Sequence, residues 1–134
     1  MAEMGFTPNL IASGDIRPFR FVVISGAFQG AQSAVATDIP VGVTDGSVYQ
    51  YDQTLHANSG KMITLQPSNT VQIEVGAGGV SAGDYLMSDA TAGVANTGRA
   101  VLLATAGNYG TYIALEAGAA GEIIRAFRTG TKKF

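Results

Sequence analysis

Apolar residues along this chain recur at every second position or in short runs, and seldom at helical spacing. Val71, Ile73 and Val75 alternate with Gln72 and Glu74, the period-two mark of a strand with one buried face. In "RPFRFVVIS", residues 17–25, Arg20 stands between Phe19 and Phe21 and the run Val22, Val23, Ile24 follows. Aromatic and β-branched residues at that density favour strand over helix. Further strands are predicted at residues 62–65, at "DYLM", at 100–104, at 109–115 and at "EIIRAFRTG". Pro40 cannot donate to a ladder, so a strand there starts after it or lies on an edge. Asp45-Gly46, between Val43-Thr44 and Val48-Tyr49, is a hairpin signal. "GAFQGAQSAVATD", residues 26–38, is small, polar and loop-like, and "QTLHANSG" predicts a turn, with room for one helical turn. "AVLLATAG" is the best helical candidate.

One turn chemistry is used four times. A small residue, a glycine and a charge precede an apolar run at Gly14-Asp15, Gly60-Lys61, Gly83-Asp84 and Gly121-Glu122. Glycine reaches positive φ without steric cost, which suits a tight turn into a strand whose charge faces water. The spacing is irregular, so no solenoid of fixed period is implied. The same pattern resolves "ALEAGAAGEIIRAF". Its alanines favour helix, but Gly118 and Gly121 oppose one at about 1 kcal/mol each, and the stretch is read as strand, turn, strand.

About ten short strands and no firm helix predict an all-β, single-domain β-barrel or β-sandwich. At 134 residues the length suits one domain. Residues 1–15, with Met4, Phe6, Pro8, Leu10 and Ile11 in no strict period, are expected to form an N-terminal arm. Residues 16–128 form the body and 129–134 a basic tail. Charged residues are 13% of the chain against 46% hydrophobic, where about 25% charged is usual. Such a surface suits a protein that buries its outside in an assembly. The four basic residues of positions 1–124 face all ten acids, a net of −6, while Arg125, Arg128, Lys132 and Lys133 give the last ten residues +4. A basic end on an acidic body can meet an acidic partner surface.

Chemistry-bearing groups are few. There is no cysteine, hence neither disulfide nor thiolate metal site. His56 is the single histidine and, in a polar loop context, is expected at the surface. No metal or cofactor is implied. Pairs of acids, Asp84 with Asp89 or Glu116 with Glu122, could work as a carboxylate pair, but each lies at a turn where a solvated acid is ordinary. "GAGGVSAGD" lacks the third glycine of a dinucleotide fingerprint, with Ser81 at that position and no helix pattern after it. No catalytic residue is expected. The body is acidic, so specific nucleic-acid binding is not expected either. No apolar run approaches the ~20 residues of a membrane helix, and the N-terminus lacks a signal-peptide pattern. A soluble protein made in the cytoplasm is expected.

Three stretches carry a resemblance. They are residues 80–86, "VSAGDYL", then "DATAGV" at 89–94, then "IALEAGAAGEIIRA" at 113–126, where Ala126 stands in place of a closing branched residue. Together they resemble the capsid decoration, or structural cement, proteins of tailed phages, most strongly over residues 70–128. The resemblance implies a small β domain, often trimeric, on the outer surface of an icosahedral capsid, clamping neighbouring major capsid proteins. Met4, Phe6, Pro8 and Leu10 would anchor an arm on a neighbour, and Arg125, Arg128, Lys132 and Lys133 would meet acidic capsid surface. Two other readings stay open. One is another virion part, such as a head fibre base or a tail-associated protein. The other is a carbohydrate-binding module using Tyr49, Tyr51, Tyr85, Tyr109 and Tyr112 as stacking platforms.

Overall fold

A computed structural model describes residues 9–48 and 54–133, and no described residue is helical. The described residues form ten strands: β1 (Leu10–Ala12), β2 (Phe21–Gly26), β3 (Gln29–Gln32), β4 (Gly42–Val43), β5 (Met62–Ile63), β6 (Thr70–Glu74), β7 (Tyr85–Ser88), β8 (Ala100–Leu102), β9 (Tyr109–Ala114) and β10 (Ile123–Lys133). They make two five-stranded sheets, ordered β4-β2-β3-β1-β5 and β6-β10-β9-β7-β8. All ladders are antiparallel except β1 with β3. Each sheet curls until its two ends meet through an isolated bridge, Thr44 with Leu65 in the first and Val75 with Ala100 in the second. That closure removes most of the open edge a flat sheet would expose.

The all-β architecture is thus as the pattern predicts, and "ALEAGAAGEIIRAF" is the end of β9, a turn and the start of β10. Two apolar clusters fill the interior. Leu10, Ala12, Ile16, Val22, Ala57, Ile63 and Leu65 form one. Val71, Ile73, Val75, Leu86, Tyr112, Ile124 and others form the second, joined by Phe21 and Val43 from the first sheet. Phe21 and Val22 point to opposite faces of β2, yet each is fully buried and each belongs to a different cluster. β2 is therefore packed on both sides at its first two residues, while Ile24, later in the same apolar run, is 53% exposed.

Four expectations change. Residues 26–38 are not simply a loop, because Gln29–Gln32 is a strand between β2 and β1. Gly30 hides it from a pattern search, since a Cβ there would lie 2.8 Å from Ile63 Cδ1 and 3.1 Å from Val22 Cγ1. Among the described residues the Asp45-Gly46 hairpin does not form: Val43 pairs with Phe21 and Thr44 with Leu65, and the Asp45 carboxylate instead accepts the Ser47 N–H at 2.9 Å. Leu10 is no arm anchor but a core residue, 3% exposed, because β1 is held between β3 and β5. Of the other arm candidates, Met4, Phe6 and Pro8 lie outside the described residues. The basic tail is strand as far as Lys133.

Candidate functional site

The four glycine turns come together in pairs, one pair per sheet. Gly60 N–H donates to Ala12 O at 2.7 Å, and Asn58 Nδ2 donates to Asp15 Oδ1, which brings the turns of Gly14 and Gly60 together. Val80 and Gly118 form a bridge that does the same for the turns of Gly83 and Gly121. Gly60, Gly83 and Gly121 have φ of 85, 90 and 89°, while Gly14 is not in the positive region. The two acids do more than face water. Asp84 Oδ2 accepts the Ser81 N–H at 2.8 Å and Glu122 Oε1 accepts the Ala119 N–H at 2.7 Å, so each carboxylate closes the turn that precedes it. These turns flank a shallow open groove lined by Gly78, Gly79, Leu102 and Ala117.

The other acids weighed for catalysis are ion-paired. Arg99 Nη2 donates to Asp89 Oδ2 at 3.0 Å and Arg125 Nε to Glu116 Oε2 at 3.0 Å. Burial works to raise the Asp89 carboxyl, but bonds from Thr91 and Arg99 outweigh it and hold it below its ordinary value. The backbone N–H of Arg125, then its side chain, hold Glu116 low in the same way. Among the described residues no group of three or more potential metal ligands forms.

His56 is not at the surface. Its side chain is fully buried, Nδ1 lies 2.9 Å from Ser47 O, and Nε2 accepts the Thr64 N–H at 2.9 Å. The second bond makes Nδ1 the donor to Ser47. The ring thus ties residue 47 to the seam beside Leu65.

Sequence reasoning also missed a polar lock between the sheets. Arg20, 1% exposed, donates to Glu74 Oε1 at 2.9 Å, to Pro18 O at 3.2 Å and to Ala95 O at 2.8 Å. Arg99 reaches the other Glu74 oxygen at 3.8 Å. Gln32 accepts the Arg17 N–H and donates to Val94 O, Thr97 O and Thr97 Oγ1. A guanidinium offers five donors in a rigid fork, which suits it to hold one local acceptor and two from distant segments. The signal present in the sequence was an arginine inside an apolar strand run.

Outward, β10 carries the basic cluster, and its cations fold onto the body. Arg128 lies 5.7 Å from the Tyr112 ring centroid, Lys132 5.1 Å from Tyr85 and Lys133 5.8 Å from Tyr109. Arg128 also donates to Val41 O at 3.0 Å. Tyr112 is core, 1% exposed and tilted against Phe21, so it is no sugar platform. Burial raises its hydroxyl pKa, with Arg128 opposing. Tyr85 and Tyr109 are half-buried, each with a lysine over its ring, and Tyr49 and Tyr51 lie outside the described residues.

A second outward feature is apolar. Ile11 and Met62 sit opposite each other across the β1–β5 pair, facing away from the core that takes Leu10, Ala12 and Ile63. Ile11 N–H donates to Phe28 O at 2.9 Å. Phe28, in the β2–β3 turn, is 79% exposed and Met62 59%. The φ of Phe28 is +54°, a region an aromatic residue rarely occupies.

No family model and no curated protein matches the chain. Among solved structures it is similar to the N base of the head fibre protein gp8.5 of bacteriophage phi29, with a TM-score of 0.63 at 17% identity, over 90% of this chain and 91% of that one. At that identity the likeness is one of fold.

Proposed function

We propose that this chain is a structural, non-enzymatic protein of a phage virion that seats on the outer surface of the head and binds the major capsid protein. The observation that carries the reading is the fold shared with a phage head fibre base over nine-tenths of the chain. It agrees with the decoration-protein motifs at residues 80–86 and 113–126. In the structure those motifs build the paired turns and the β9–β10 connection.

The mechanism is thermodynamic linkage. A protein that binds the assembled lattice more tightly than free subunits stabilises the assembly by that difference. Each contact of standard size buries about 800 Å² per partner, and many copies act together. A trimer would set three such contacts around one axis. Arg125, Lys132 and Lys133, all exposed on β10, supply the positive surface for an acidic partner. Closed sheets and the Arg20 lock supply a body rigid enough to transmit load between subunits.

Two finer readings divide here. As cement, the chain clamps neighbouring capsid proteins. As the base of a head fibre, the reading favoured by the phi29 neighbour, it anchors a longer appendage. Sedimentation with empty expanded capsids tests both. Stoichiometric co-sedimentation at hundreds of copies, with a raised shell melting temperature, supports cement. Saturation at few copies without added shell stability supports the fibre base. Failure to co-sediment overturns the virion-surface reading.

A further inference from the structure

β10 outruns the strand on one of its edges. There β6 accompanies it only from Ile123 to Phe127, and Arg128 N–H then donates to Asn69 O at 2.8 Å. Before Asn69 the chain turns away toward the first sheet, where Gln66 N–H donates to Val43 O. Residues 129–133 therefore keep only β9 beside them, through Lys132 with Gly110 and Lys133 with Tyr109, and no described residue pairs with them on the other edge. The overhang is roughly 17 Å of strand. A Cβ on Gly130 would meet nothing within 4 Å, so the space around this backbone is open.

An unpaired strand edge is a template for another strand, and lysines along it are a usual guard. Here the guard also selects. No ion pair among the described residues takes Arg128, Lys132 or Lys133. Each instead lies 5.1 to 5.8 Å from a tyrosine ring centroid, which holds the charges beside the edge without cancelling them. A basic strand is repelled there and a neutral one gains only backbone bonds, whereas an acidic strand gains both backbone bonds and charge contacts. The rings also argue against single-stranded nucleic acid. Bases need open aromatic faces on which to stack, but Tyr112 is buried, Tyr85 and Tyr109 are half-buried, and all three have a cation over the ring. A phosphodiester chain has no backbone amides with which to complete a ladder.

We infer that the overhang of β10, residues 129–133, is a strand-addition site for an extended acidic peptide segment. The segment is held by main-chain hydrogen bonds on the open edge and by carboxylate contacts to Arg128, Lys132 and Lys133. This deepens the proposed acidic contact of β10 and rests on that reading for where the segment comes from, the capsid protein, but not for its chemistry. The test uses the full chain and needs no capsid. A fluorescein-labelled peptide of alternating Glu and Thr is titrated by fluorescence anisotropy. Beside it run the same peptide N-methylated at alternate amides and a short thymidine strand. The acidic peptide is expected to bind, and to lose at least about tenfold in affinity on N-methylation, which removes main-chain donors and leaves the charge. Lys132→Glu with Lys133→Glu should also cost at least about tenfold, with circular dichroism and thermal melting unchanged because both side chains are exposed. The amide NMR signals of residues 129–133 should shift on binding and exchange more slowly with solvent. Equal affinity for the N-methylated peptide, shifts confined to other strands, tighter binding of the thymidine strand, or no peptide binding would each overturn the proposal. Peptide binding by a protein that fails to co-sediment with capsids would remove the virion reading and leave this site standing. Co-sedimentation without peptide binding would do the opposite.

Discussion

At the scale of single residues, polar side chains in the interior decide how the halves of the molecule meet. Arg20 alone ties its own segment, through Pro18 O, to two distant ones, through Glu74 and Ala95 O. Removing it leaves Glu74 with the longer Arg99 contact only and strips two carbonyls of a donor. Loss of one partner of a buried ion pair costs about 3–5 kcal/mol. Arg20→Met is therefore expected to lower the unfolding free energy, read from urea titrations, by an amount near the bottom of that range, because Glu74 keeps Arg99 and some solvent. Arg20→Lys should recover little, since a point charge cannot span three acceptors. A midpoint within error of the parent for either variant would refute the lock. Asp89 gives a pH prediction. Its folded carboxyl lies below the ordinary value of 3.8, so its stabilising contribution is complete above that value and is lost as pH falls through the lower folded one. Urea titrations from pH 7 downward should show stability falling below about pH 4, less steeply for Asp89→Asn. An identical slope in the variant would remove Asp89 from the account.

At the scale of elements, turns set the strand register. Gly121 has φ of 89° with open space around its missing Cβ, whereas a Cβ on Gly118 would lie 2.5 Å from Ile124 Cγ2 and 3.1 Å from Val75 Cγ2. Gly121→Ala thus meets only backbone strain, about 1–2 kcal/mol, and Gly118→Ala meets overpacking, about 1–3 kcal/mol. The two are separable by rescue: Ile124→Leu, which lacks the Cγ2 methyl, should recover part of the Gly118→Ala loss and none of the Gly121→Ala loss, as read from thermal melts. The turns at Gly83 and Gly121 were legible because small residue, glycine and acid are adjacent in sequence. That each acid turns back to cap its own turn was not, since a solvated acid and a capping acid look alike in a sequence. β3 was illegible for a related reason: Gly30 and Ala31 carry too little side chain to show alternation.

At the scale of the whole molecule, charge and closure govern behaviour toward partners. Residues 1–124 carry all ten acids and four of the eight basic residues, and β10 carries the other four and no acid. Lys132 and Lys133 stay exposed although each lies over a tyrosine ring. On the proposed binding to the capsid, occupancy is expected to fall with added salt, and to fall further for Lys132→Glu with Lys133→Glu, because screening acts on exposed charges over about 8–10 Å. Salt-independent occupancy in the binding assay would place the contact elsewhere.

The sequence by itself determined the all-β class, most of the strands but not β1 or β3, the glycine turns, and an inventory with one histidine and no cysteine. Each of these is written in neighbouring residues, as a period of two, a glycine before a charge, or an inventory. Tertiary structure alone decided that both sheets close, that Leu10 belongs to the core, and that His56 and Arg20 are buried. It also decided that Lys132 and Lys133 lie over tyrosine rings. Those outcomes depend on partners many positions away, such as Glu74 and Ala95 for Arg20, and Ser47 and Thr64 for His56. A polar side chain is buried wherever distant segments complete its hydrogen bonds, and no local pattern records where those segments will come to lie.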